Sequence, residues 1–243
     1  MNILSADIGK EGDFTAISIS TMMLKKIDAP GVARAVKKEF PVYNLKEYEE
    51  RTKKQAEIMW GCRHLERLAL GTSYPDVVRR ITELMTSPEL RNDTQLIVDT
   101  TGVGNAVCDY LRDEGLAPVG ILIQGGSAVS QTEHGYSVPK RDLVTALQLY
   151  VQTNRMIVSR NLPLSMVFVK EMMDFRLKKN KDTGAEQMGA WRSGENDDLV
   201  LSLAMTAWYT SKVVGPVLAL GPKRSSYEVT GPTDDYDSVD NNY

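Results

Sequence analysis

The run Thr94-Gln95-Leu96-Ile97-Val98-Asp99 constrains the fold more than any other stretch. It is short, apolar without polar alternation, and ends in a carboxylate. A strand of that composition is buried on both faces. A glycine-rich turn follows (Thr100-Thr101-Gly102-Val103-Gly104), then a helical pattern through Val107, Tyr110 and Leu111 that stops at Gly115. A second apolar run, Ala117–Ile123, comes next. Strand, helix and strand in that order imply a parallel crossover, and hence an α/β architecture.

The remaining patterns build around this unit. Asn2–Ile8 and Phe14–Ser20 read as strands joined by a turn-rich link, a hairpin signature. Ala33–Tyr43 reads as a third strand, and Leu45–Leu70 as charged and helix-permissive. Tyr74-Pro75-Asp76 opens a helix with Val77, Val78, Ile81, Leu84 and Met85 on one face, the proline suiting its first turn. Gln124–Ser137 reads as a mobile Gly/Ser loop, Pro139–Asn154 as a helix, Met156–Val158 as a short extended piece and Pro163–Met173 as a helix. Phe175–Lys179 and Gln187–Trp191 flank Asp182-Thr183-Gly184, a second hairpin signature. Asp197–Lys212 reads as the last helix, its inner stripe being Val200, Leu203, Ala204, Ala207 and Trp208. The expected domain spans residues 1–215, with 216–243 an acidic, disordered tail.

With 243 residues, 42% of them hydrophobic, the chain can bury a core without staples. Cys62 and Cys108 are its two cysteines, too few for a disulfide framework, and a reducing cytoplasm is the simpler expectation. The start, MNILSADIGK, lacks the pattern of a signal peptide, and no apolar run is long enough to span a bilayer. The net charge of −3 resides in the tail, where Lys223 and Arg224 face Glu228, Asp234, Asp235, Asp237 and Asp240. The body is therefore neutral, which is compatible with a nucleic-acid partner without arguing for one.

Acidic residues fall at informative places. Asp7 is late in the first strand, Asp99 ends the buried strand, and Asp197-Asp198 opens the last helix. Taken singly, each suits a turn or a helix cap. Together they suit something else, because carboxylates at the carboxyl ends of sheet strands face the crevice where α/β folds bind ligands. Mg²⁺ prefers such hard oxygen ligands. Two ions about 3.5–4 Å apart activate a water and stabilise the leaving oxygen of a phosphodiester. Of the neighbouring aspartates, one is expected to be the direct ligand and the other to act through a metal-bound water or as a cap. Lys140 and Arg141 at a helix start, and Lys178, Lys179 and Lys181 on the second hairpin, are candidate phosphate contacts. His64 and His134 are the only histidines; His134, in the Gly/Ser loop, could approach the site but is expected to be an exposed loop residue.

The stretches SADIGKEGDFTAISI, RLALGTSYPDVV, LIVDTTGVGNAVCDYL, VPKRDLVTALQLY and FRLKKNKDTGAEQMGAWRSGENDDLVLSLAMTAW span most of residues 2–208. In them the chain resembles the nuclease domain of phage large terminases, the DNA-packaging motors. The hairpin with a central Gly, followed by Asp-Asp-Leu-Val, is the most specific part. The resemblance implies a ribonuclease H-like α/β fold, a mixed central sheet flanked by helices on both faces. It implies metal-dependent hydrolysis of double-stranded DNA with two Mg²⁺ or Mn²⁺ ions, and ligands at Asp7, Asp99 and Asp197 or Asp198. Many relatives carry His before the aspartate pair; here it is Asn196. No GxxxxGK[ST] phosphate loop occurs in the sequence, so the resemblance extends to the nuclease without its ATPase. The implied partners are DNA and a packaging ATPase, small terminase subunit or portal, in the host cytoplasm and with no membrane. The alternatives are a Holliday-junction-resolvase-like nuclease and a catalytically silent docking module of a packaging motor.

Overall fold

The structure is a computed structural model and describes residues 1–10, 12–26, 56–179, 186–190 and 196–214. Its strands are β1 (Asn2–Asp7), β2 (Ala16–Lys26), β3 (Ala56–Arg67), β4 (Thr94–Asp99), β5 (Val119–Gln124), β6 (Ser130–Thr132), β7 (Gly135–Pro139), β8 (Met156–Val158), β9 (Phe175–Lys179) and β10 (Glu186–Ala190). Its helices are α1 (Tyr74–Thr86), α2 (Gly104–Asp113), α3 (Lys140–Gln152), α4 (Ser165–Asp174) and α5 (Asp198–Tyr209), the last continuing into one π turn over Thr210–Val214. Eight strands form one mixed sheet in the order β6-β7-β5-β4-β1-β2-β3-β8. The centre, β7-β5-β4-β1, is parallel, and β2 runs antiparallel between β1 and β3. The pair β9-β10 stands apart as a small antiparallel sheet.

Strand alternation divides the core in two. Ile3 of β1 and Ile97 of β4 face a cluster built with α3, α4 and α5. Leu4, Ala6, Leu96 and Val98 face the opposite cluster, built with α1 and α2. Helices therefore cover both faces, as the doubly apolar strands require. α5 is buried at every one of its residues from Asp198 to Tyr209. A helix apolar all round belongs in an interior, and α5 packs on β1 and β2 while α3 packs on it in turn. The Ser5 and Thr206 hydroxyls pair across that interface at 2.8 Å, which satisfies two polar groups that would be costly to bury alone.

Several expectations need correction. Residues 56–67, read as helix-permissive, form β3. The reason lies in its pairing: β3 carries an extra residue opposite the Ile19–Ser20 step of β2. That bulge separates buried Cys62 from buried Leu65 by three positions, a helix-like spacing inside a strand. Gln124–Ser137 is not a plain loop, since β6 and the start of β7 form a hairpin at the sheet edge. The expected strand at 33–43, the hairpin tip at 182–184 and the tail at 216–243 lie outside the described residues.

The turn after β4 is fixed by close approach. Gly102 has φ +62°, and a Cβ on Gly104 would lie 1.8 Å from the Asp99 carbonyl oxygen. Glycine there lets α2 start against the end of β4. Gly104→Ala is therefore expected to destabilise the protein by about 1–3 kcal/mol or more, read as a lower Tm in thermal melting. An unchanged Tm would mean that this approach does not fix the end of β4.

Candidate active site

Asp7 and Asp99 meet because of register. β1 and β4 are parallel, with Ala6 opposite Val98, so the next residues of the two strands are neighbours. By the same alternation that buries Ile3 and Ile97 under α5, both carboxylates point to the α5 face. Asp7 and Asp99 are buried, as is Asp198. The three line one cleft of about 250 Å³ with Gly9, Lys10, Asp13, Phe14, Thr101, Asn196 and Asp197. The N-terminus of α5 thus supplies the aspartate pair to the strand ends, as the sequence order suggested.

The four carboxylates are held differently. Asp99 accepts the Thr101 N–H at 2.8 Å and shares a hydrogen bond with Asp7. Asp197 occupies the N-cap position without a side-chain capping bond; its Oδ2 instead accepts from Lys140 Nζ at 2.7 Å. Asp198, the first helical residue, accepts from Arg67 through both oxygens, at 2.6 Å from Nε and 2.8 Å from Nη2. Arg67 Nη2 also donates to Glu171, whose other oxygen accepts the Val200 N–H at 3.2 Å. The Arg67 guanidinium lies over the Phe14 ring, 5.0 Å from its centroid.

Crowding shows in the proton affinities. Burial, then the Asp99 charge and their shared hydrogen bond, then Asp197 and Asp198, push the Asp7 carboxyl well above the ordinary carboxylate range. Burial pushes Asp99 up, against the Thr101 hydroxyl and N–H, the Asp7 bond and Lys140. Burial raises Asp198 too, against Arg67. Burial and the Asp198 charge push Glu171 up to about 7, against Arg67 and the Val200 N–H.

Among the described residues no three His, Cys, Asp or Glu side chains already converge as a metal cage. Asp198 is turned to Arg67 and Asp197 to Lys140, which accounts for the open arrangement. The donor set nevertheless fits a hard divalent ion. It is all oxygen, and burial and the neighbouring Asp99 charge raise the proton affinity of Asp7, a repulsion that a bound cation would relieve.

Of the expected phosphate contacts, Lys140 is drawn into the ion pair with Asp197, and Arg141 is half exposed beside Asp142. Lys178 and Lys179 lie on β9, with side chains outside the described set, and Lys181 is outside it altogether. Arg67, Glu171, Lys10 and Thr101 were not foreseen. A signal for Glu171 was available, because Ser165, Phe168 and Glu171 recur every three residues on the buried face of α4. Arg67 gave none, since its meaning depends on the bulged strand that carries it.

A carboxyl with a raised folded-state pKa adds stability below its ordinary pKa and loses it as pH rises through the folded value. For Glu171 that window runs from 4.5 to about 7; Asp7 acts with the same sign. Asp7→Asn is accordingly expected to raise the Tm of the metal-free protein at pH 7.5, by about 2–4 °C for each ~1 kcal/mol of repulsion removed. The difference from the wild type should close toward pH 4, where Asp7 itself is protonated. A Tm lowered at pH 7.5 would show that the Asp7 charge supports the metal-free fold.

No protein-family model and no curated protein matches the sequence. Among solved structures, the large terminase nuclease from thermophilic phage G20c superposes with a TM-score of 0.51 at 20% identity, over 86% of this chain and 81% of that one. The Mn-soaked human cytomegalovirus terminase nuclease domain matches at a TM-score of 0.42 and 11% identity, over 87% and 84%. The mixed sheet, the helices on both its faces and the G20c superposition give this chain a ribonuclease H-like α/β fold, similar to that of the G20c nuclease.

Proposed function

We propose that this chain is a metal-dependent endonuclease that hydrolyses the phosphodiester bonds of double-stranded DNA. One observation carries the reading: two buried aspartates on adjacent parallel strand ends share a cleft with the aspartate pair that opens α5. The fold in common with a phage terminase nuclease supports it. Asp7 would hold both of two Mg²⁺ or Mn²⁺ ions, Asp99 one, and Asp197 or Asp198 the other. Such ions, when bound, supply an activated water and neutralise charge at the phosphodiester. Lys140 and Arg141, at the start of α3, orient phosphate, and Lys178, Lys179 and Lys181 contact the DNA backbone. In the cell the chain works in the host cytoplasm with a packaging ATPase, a small terminase subunit or a portal. Among the described residues no helix is long and apolar enough to cross a membrane.

The experiment is incubation with plasmid DNA under Mn²⁺, Mg²⁺ or EDTA, beside linear and branched duplexes. The wild type is expected to nick and linearise plasmid only with metal. Asp7→Asn and Asp99→Asn should each slow cleavage by at least about 100-fold, since even partners behind the ligands are worth 10–100-fold. A marked preference for four-way junctions would assign a resolvase-like role. Cleavage at the wild-type rate by Asp7→Asn would remove the aspartate site from the reaction.

A further inference from the structure

We propose that Arg67 is a positioning residue that keeps Asp198 out of the metal-ligand set and leaves Asp197 as the carboxylate of α5 that meets the ions. This inference rests on the metal-dependent reading above.

The contrast between the two ion pairs carries it. Arg67 engages both oxygens of Asp198, in the planar two-point geometry that guanidinium and carboxylate share. Asp198 and Glu171 are buried and Arg67 is partly so, with side-chain exposures of 9%, 7% and 14%. Turning Asp198 toward an ion would leave the guanidinium short of a partner in a desolvated place, so the pair resists exchange. Glu171 fixes Arg67 from the other side and accepts the Val200 N–H, and thereby ties the end of β3, α4 and the first turn of α5 into one unit. The Phe14 ring lies against one face of the guanidinium.

Among the described residues Asp197 is held by much less. One oxygen accepts one bond from Lys140, and the two side chains are 23% and 26% exposed. An ammonium on a flexible stem is a compact single-point partner, and a doubly charged ion competes with it on favourable terms. Arg67 therefore acts on the site through Asp198 and the first turn of α5, and Lys140 is a counter-ion of Asp197 that an incoming metal releases.

The test is Mn²⁺ titration by calorimetry on the whole chain, with plasmid cleavage on the same samples. Arg67→Met frees Asp198, and R67M/E171Q does so without stranding a second buried carboxylate, so it guards against a folding failure of the single variant. With one more free carboxylate at the site, both should bind Mn²⁺ about tenfold more tightly than the wild type, yet cleave more slowly. Adding Asp198→Asn should return the affinity to the wild-type value, and Arg67→Lys should fall between. Tighter metal with slower cleavage is a combination that a purely structural arginine would not produce. Unchanged or weaker Mn²⁺ binding in R67M/E171Q, with the wild type binding normally and D7N not, would overturn this inference alone. A wild type that binds no Mn²⁺ would overturn the metal-dependent reading and this inference with it.

Discussion

Parallel pairing of β1 with β4 sets Ala6 opposite Val98, and the following residue of each strand is an aspartate. Because side chains alternate, both aspartates emerge on the face that α5 covers, and both are buried there. A slip of one residue in either strand would send one carboxylate into the Val98 and Leu96 cluster beneath α1 and α2. The register is protected by burial on both faces of the strands. The fold thus holds two mutually repelling groups together at the carboxyl ends of two central strands by making every alternative pairing more costly.

What offsets that repulsion comes from elsewhere in the chain. Arg67 ends β3, and Lys140 opens α3. Each cation reaches one of the two aspartates at the start of α5. Among the described residues Asp7 and Asp99 have no ion-pair partner, and burial above all, with the Asp99 charge acting on Asp7, raises their proton affinity. The largely buried Arg67–Asp198–Glu171 group also ties together three elements, and removal of one member of such a pair costs about 3–5 kcal/mol. The same contacts that complete the packing around α5 therefore set the charge of the cleft.

Much of this was legible in the residues. The apolar run at Thr94–Asp99, the crossover to Val119–Gln124, the hairpin of β1 and β2, and α1, α3, α4 and α5 follow from period and punctuation in the sequence. So does the idea that Asp7, Asp99 and the aspartate pair converge, since strand ends and a helix start at one end of the sheet face a common crevice. β3 was misread because its bulge turns a two-residue period into a three-residue one. The edge hairpin of β6 and β7 was missed because polar, glycine-rich edge strands carry no apolar alternation. Its glycine is there for contact: a Cβ on Gly135 would lie 1.9 Å from the Gly120 carbonyl oxygen.

The sequence by itself determined the α/β class, the doubly buried strands and the identity of the acidic residues at their ends, because burial and periodicity are local properties of the chain. It left Asp197 and Asp198 equivalent, since adjacent positions in a first helical turn differ only in direction. Tertiary structure separated them. Asp198 meets Arg67 across 131 residues of chain and Asp197 meets Lys140 across 57, and no local pattern encodes which distant cation a carboxylate will find.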